Sequence, residues 1–190
     1  VATSSLALYS GYSSTIKDAA GNDATLTLAS PGAANSLGAN KDLVIDTTLP
    51  TVTGVTSTTS NGSYRQGETI AITVEFSEVV NVDESGGTPT LTLNNTSGTN
   101  PAVDYSSGSG STTLTFNYTI GSGETSGDLD YATTNSLVLN SGTIKDAAGN
   151  AATLTLASPG ASNSLGNNRA LIVDTSVPTI SSVSLNAANS

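Results

Sequence analysis

The sequence predicts an all-β protein, a β-sandwich repeated in tandem. Three observations carry that expectation. Short runs alternate apolar and polar residues, most clearly in Glu68-Thr-Ile-Ala-Ile-Thr-Val-Glu-Phe76. There Ile70, Ile72, Val74 and Phe76 point one way and Thr69, Ala71, Thr73 and Glu75 the other, the period of a half-buried strand. Turns rich in Gly and Asn separate these runs, as in sandwiches. Part of the chain also repeats at a spacing of 128 residues, too long for a solenoid unit and right for whole tandem domains. The abundance of Ser, Thr, Gly and Asn is shared with disordered chains, but the recurring alternation indicates a folded protein with a Thr-rich solvent face.

Taken in order from Pro50, strand A (51–58) runs away from the incoming linker, and Asn61-Gly62 marks a turn. Strand B (68–77) returns to a loop at 78–88. Strand C (89–93) goes out, 94–100 turns, and strand D (102–105) returns to a Gly/Ser loop at 106–111. Strand E (112–120) goes out with Leu114, Phe116, Tyr118 and Ile120 inward. After a turn at 121–127, the short strand F (128–132) returns with Leu129 and Tyr131 inward. Residues 136–140 go out, 145–150 turn, and 152–157 return. A long loop (158–168) leads to a last strand, 169–174. On this count the chain enters and leaves at opposite ends. The core is aliphatic, poor in rings and thin, so moderate stability is expected.

The repeat fixes the expected domain organisation. Thr15-Ile-Lys-Asp-Ala-Ala-Gly-Asn22 returns as Thr143-Ile-Lys-Asp-Ala-Ala-Gly-Asn150, and Leu43-Val-Ile-Asp-Thr-Thr-Leu-Pro-Thr51 returns as Leu171-Ile-Val-Asp-Thr-Ser-Val-Pro-Thr179. Residues 15–51 match their counterparts at 28 of 37 positions without a gap. Upstream, Ser5-Leu-Ala-Leu-Tyr-Ser-Gly11 matches Ser136-Leu-Val-Leu-Asn-Ser-Gly142, so Tyr12-Ser-Ser14 is an insertion, of the kind a surface loop accepts. The expected organisation is a C-terminal part of a preceding repeat (1–46), a linker (47–50), a complete repeat (51–174), a second linker (175–178) and the first strand of a following repeat (179–190). Both linkers carry a proline, which makes a short, semi-stiff joint. The piece 1–46 lacks front strands and is not expected to bury a core unaided; a neighbouring copy or a second chain would complete it.

Composition removes most chemistry. The chain has no Cys, His, Trp or Met, which excludes a Ser-His-Asp triad, a thiol nucleophile, disulfides and ordinary zinc or haem sites. A net charge of −10, from 15 acids against 5 bases, argues against nucleic acid as a partner. No apolar run approaches a membrane span. No signal peptide with a basic head and an apolar body opens the chain.

The acids carry the remaining signal. By strand parity, Glu124, Asp128, Asp130, Asp146, Asn150 and Asp174 fall at the far end of the complete repeat, with Asp128 and Asp130 flanking inward Leu129. At the near end Glu78, Asp83 and Glu84 are expected to meet Asp18, Asn22 and Asp46 of the preceding copy. Carboxylates and amide carbonyls are the ligands of a hard cation, and Ca²⁺ takes 6–8 oxygens. The expected metal ligands are Asp18, Asn22, Asp46, Glu78, Asp83, Asp128, Asp130, Asp146, Asn150 and Asp174. The competing reading is an ordinary solvated acidic surface, with Asp-x-x-Gly-Asn only a turn former. Neither an EF-hand loop nor a Gly-Gly-x-Gly-x-Asp nonapeptide is present. A two-carboxylate glycosidase is disfavoured, because no aromatic-lined cleft is evident.

The segments Gly67-Glu-Thr-Ile-Ala-Ile-Thr-Val-Glu-Phe-Ser-Glu78, Gly87-Thr-Pro-Thr-Leu-Thr-Leu93, Asp128-Leu-Asp-Tyr131, Lys145-Asp-Ala-Ala-Gly-Asn150 and Asp174-Thr-Ser-Val-Pro178 together resemble the bacterial Ig-like tandem repeats of large RTX-type and biofilm-associated surface adhesins. The resemblance spans essentially the whole chain. It implies an Ig-like β-sandwich in the extender region of an extracellular, cell-surface protein, without catalysis, with neighbouring repeats as partners and Ca²⁺ stiffening the junctions. By motif it points to Asp146, Asn150 and Asp174, with Asp18, Asn22 and Asp46, and to Glu78. Two alternatives stand beside the spacer: a module binding a cell-surface or matrix ligand through loops such as 158–168, and a self-assembling filament in which strands of one chain complete another.

Overall fold

The computed structural model describes residues 15–95 and 100–184. The chain divides into two units, Val1–Asp46 and Thr47–Ser190. The insertion at Tyr12-Ser-Ser14, the motif at residues 5–11 and most of the turn at 94–100 lie outside the described residues.

In the first unit, residues 17–23 form a tight turn closed by a bridge between Lys17 and Asp23. A single-turn helix, α1 (Leu37–Asn40), follows, capped by Ser36, whose hydroxyl accepts from the Ala39 amide. Ser36 is the one buried side chain among residues 15–46; the apolar side chains of this stretch remain partly or largely exposed.

The second unit carries the strands β1 (Val52–Ser57), β2 (Gly62–Tyr64), β3 (Thr69–Asp83), β4 (Thr90–Asn94), β5 (Ala102–Ser107), β6 (Ser111–Thr119), β7 (Thr125–Ser126), β8 (Asp130–Tyr131), β9 (Leu137–Val138) and β10 (Thr143–Lys145), then α2 (Leu165–Asn168) and β11 (Leu171–Asp174). One sheet runs β1-β3-β6-β5-β4-β8, with β10 also on β3 and β9 also on β4; the other runs β2-β11-β7. All pairings between these strands are antiparallel except β2 with β11. Alternation places the core as the sequence predicts: Ile70, Ile72, Val74 and Phe76 of β3 face Leu114, Phe116 and Tyr118 of β6, all buried. Tyr105 meets Phe116 edge-on at 6.1 Å between ring centres. Each such apolar side chain contributes about 1.5–3 kcal/mol on burial.

Several elements differ from expectation. Strand B does not stop at 77. Its register breaks between Glu75 and Val80, and β3 then continues to Asp83, where β10 pairs with it. Strand β10 is too short to show a period: the sequence assigns Thr143 and Ile144 to no element and Lys145 to the turn. Asn61-Gly62 reads as a turn, but Gly62 begins β2, which runs to Tyr64 and is held by parallel pairing to β11. Of the expected strand F only Asp130–Tyr131 is strand, β8, joined to β4; the turn expected at 121–127 contains β7, which joins β11 in the other sheet, so the chain changes sheets between Ser126 and Asp130. Residues 152–157 make one isolated bridge, Thr153 with Thr51, and the expected loop 158–168 contains α2.

The incoming chain is tied down firmly. Thr51 receives the Ser77 amide at its carbonyl (2.9 Å) and donates its own amide to the Ser77 hydroxyl (3.0 Å). The carbonyl of buried Pro50 accepts from the Thr153 amide (2.8 Å). Thr51 is thereby held beside the register break in β3.

Candidate metal centre

The tightest acidic element is the turn 145–150. Asp146 follows β10 immediately, and its Oδ1 accepts from the Asn150 amide (2.8 Å) while Oδ2 accepts from the Asn150 side-chain amide (2.7 Å). Gly149 takes φ +96°, the left-handed conformation that favours glycine, so the turn closes without strain. Asp146 is buried. Burial by itself raises a carboxyl pKa. The side-chain and backbone hydrogen bonds from Asn150, with those from Gly149 and Ala148, outweigh it and hold Asp146 below the usual value.

The first unit repeats this turn. Asp18 accepts from the Asn22 side chain (2.8 Å), the Asn22 amide (2.8 Å) and the Ala20 amide (2.9 Å), with Gly21 at φ +92°. Its pKa is also lowered, chiefly by the Asn22 side chain. The copies differ at one charge: Lys17 pairs with Asp23, whereas Ala151 stands at the Asp23 position in the second copy.

One carboxylate oxygen each of Asp46, Glu78 and Asp146 lie within 4.8 Å of one another. Glu78 sits in the register break of β3, half-buried, and Asp46 precedes the strapped residues Pro50 and Thr51. Two unit charges at this separation repel by about 3 kcal/mol at an effective dielectric of about 20. A divalent cation relieves that repulsion. The donor set is all oxygen, which suits a hard cation such as Ca²⁺, with backbone carbonyls and water filling the 6–8 positions it takes. These three carboxylates could hold a metal ion, which would neutralise their charge.

Strand parity puts Asp146 and Asn150 at the far end of the repeat; the structure differs. Asp146 lies with Glu78, because β3 runs past Glu78 to Asp83 and β10 pairs antiparallel with that extension, Lys145 opposite Asn81. The remaining acids are dispersed. Asp83 accepts from the Ser85 amide (2.9 Å); that bond, the Ser85 side chain and the charge of Lys145 keep its pKa low. Asp130 is buried and accepts from the amides of Tyr131 (2.9 Å) and Gly160 (2.9 Å), and with Asp128 it comes up against Gly166. Asp174 ends β11, accepts from Ser176 (2.9 Å) and lines an open groove with Arg65 and Glu68. Glu124 accepts from the Tyr118 hydroxyl (2.7 Å) and the Gly121 amide (2.6 Å). The structure therefore brings together Asp46, Glu78 and Asp146 and leaves Asp83, Asp128, Asp130 and Asp174 in other settings.

Sheets packed over one core, with an acidic cluster where the chain enters, define a β-sandwich module. The sequence profile described as the bacterial Ig-like domain matches residues 46–159, more than half of the chain, and the chain belongs to that family. The match begins at Asp46, the first residue of the cluster. Domains of this family are generally non-catalytic and typical of bacterial surface proteins. No curated protein and no solved structure matches the chain. No helix among the described residues is long and apolar enough to cross a membrane.

Proposed function

We propose that this chain is a non-catalytic extender repeat of a long extracellular protein on a bacterial surface, and that Ca²⁺ bound by Asp46, Glu78 and Asp146 stiffens the point where the chain enters the Ig-like unit. The observation that carries the reading is the convergence of these three carboxylates at the start of the family match. Family membership and the near-identical tandem motifs, Lys-Asp-Ala-Ala-Gly-Asn and Asp-Thr-(Thr/Ser)-x-Pro, support a role repeated along an array, since a spacer needs the same joint many times. Neighbouring repeats are then the principal partners, and adhesion or biofilm formation is the setting that such a spacer serves.

Calorimetry and thermal melting at millimolar Ca²⁺ test the metal. Saturation at about a hundredfold excess over Kd adds about 2.7 kcal/mol of stability and raises Tm. The double variant Glu78→Gln/Asp146→Asn is expected to lose both the heat of binding and the rise. No binding and no change in Tm for the native sequence would refute the metal. Electron microscopy of the parent array tests the spacer: rods in Ca²⁺ that soften in chelator support it, and an unchanged outline in both counts against stiffening by the ion.

A further inference from the structure

We propose that the second unit carries a tension clamp: its first stretch, 50–64, lies directly on its last, 153–173, and a load that stretches the chain through the unit crosses between them in shear. The clamp needs neither the metal nor a neighbouring repeat.

The two stretches meet at three successive places, in the same order along both. At the first, the Thr153 amide donates to the Pro50 carbonyl (2.8 Å), and Thr51 forms a parallel bridge with Thr153. At the second, the Val55 amide donates to the Asn163 carbonyl (2.9 Å), and the Asn168 side-chain amide donates to the Val55 carbonyl (2.8 Å). Arg169 adds a bond to the Thr56 hydroxyl (3.2 Å). At the third, the Gly62 amide donates to the Ala170 carbonyl (3.1 Å), and the Ala170 amide donates to the Asn61 side-chain oxygen (3.2 Å). Parallel pairing then sets Gly62, Ser63 and Tyr64 of β2 beside Leu171, Ile172 and Val173 of β11. Each stretch is also held on its other side, β1 by β3 and β11 by β7, so neither swings away from the clamp.

Direction decides how such contacts fail. Tension draws the first stretch towards its N-terminal end and the last towards its C-terminal end. Stretches that run the same way are then dragged past each other, so their bonds share the load and break together. Residues 65–152, which supply most of the buried core, lie off this route. Strands that run opposite ways and are pulled from one end open pair by pair instead. The ladder of β1 with β3 is of that kind for a load between the incoming chain and the loop 84–89. Val52 lies opposite Phe76 and Ser57 opposite Ile72, so the incoming chain and the end of β3 that leads to the loop leave the ladder together.

Force spectroscopy on the full chain, in chelator, tests the clamp. Held by its two ends, the chain loads the clamp in shear. Ser85→Cys gives a single exposed attachment in the loop after β3, because the sequence has no cysteine. Load between residue 1 and this attachment opens the β1–β3 ladder from its end. Unfolding under force reports the barrier, and the end-to-end geometry is expected to need about twice the force or more. Gly62→Pro removes the Gly62 amide on an edge strand, where proline is tolerated, and Asn168→Ala removes the side-chain bond to Val55. Each is expected to unfold about tenfold faster at a fixed end-to-end load, the factor for about 1.4 kcal/mol lost from the barrier. Ile144 lies in the core, outside the clamp. That core is still intact when the clamp yields, so Ile144→Ala is expected to lower Tm and to change the loaded rate by less than about twofold. Equal forces in the two geometries overturn the proposal. So does a loaded rate that Gly62→Pro and Asn168→Ala leave unchanged, or one that Ile144→Ala raises as much as they do. Should Gly62→Pro fail to fold, Asn168→Ala decides alone.

Discussion

Tyr131 is sealed in the core, its hydroxyl donating to the Ala157 carbonyl at 2.6 Å. Burial and the neighbouring Asp130 charge push its phenol up to about 12. The unfolded chain ionises near pH 10, so the neutral phenol favours the folded state. That contribution is complete below pH 10 and is lost as pH rises towards 12. Tyr118, raised by burial and by Glu124, acts with the same sign. Tm is therefore expected to fall across pH 10–12 while staying level from 7 to 9, with a shallower fall in Tyr131→Phe, as read by melting in a pH series. Two glycines give a second contrast. Gly108 takes φ +110°, and a Cβ there would meet the Thr113 carbonyl oxygen at 2.1 Å. Gly160 takes φ +76° with open space around it. Gly108→Ala should cost more than about 2 kcal/mol, and Gly160→Ala about 1 kcal/mol, by urea denaturation. The hydrogen-bonded Asp146–Asn150 turn is legible from sequence because its partners lie within five residues. That Glu78 joins Asp146 is not, because a long-range register decides it.

The strand β3 shows how one element determines the site. Its first half is the centre of the core and reads plainly from alternation. Its second half, beyond the register break at Glu75–Val80, loses a clean period and carries β10. Strand parity counts residues 136–140 as running out, but β9 pairs antiparallel with β4 in the same direction as β8, so this stretch still runs back and Asp146 comes to the end where β3 finishes. The two copies of Thr-Ile-Lys-Asp isolate what an element gains from its neighbours. Ile144 lies in β10 against the core at 2% exposure, and Ile16 in the same motif is 47% exposed. Ile144→Ala is expected to cost about 2–5 kcal/mol, whereas Ile16→Ala stays within about 0.5 kcal/mol. Denaturation of the two variants compares them directly, and equal effects would mean that the motif's contribution is local.

Across the chain, burial is concentrated in the second unit, and protection against hydrogen exchange should follow it. Amides of β3 and β6, hydrogen-bonded over buried side chains, are expected to exchange only on global unfolding, at least a thousandfold more slowly than those of residues 15–46. Mass spectrometry of exchange on the full chain measures this; comparable protection in both would contradict the burial pattern. The residues alone determine the all-β class, the inward set Ile70, Ile72, Val74, Phe76, Leu114 and Phe116, the tandem copies and the Asp-x-x-Gly-Asn turns, because alternation, repetition and turn chemistry are properties of neighbouring positions. They also supply carboxylates and omit Cys, His and Met, so that any metal held here would be a hard cation. The three-dimensional chain decides which of those acids meet. Asp46, Glu78 and Asp146 are separated by 32 and 68 positions. They converge because Pro50 and Thr51 are strapped between Ser77 and Thr153 and because β10 pairs on the far half of β3. Those distances follow from packing and register over the whole unit, which no local period encodes.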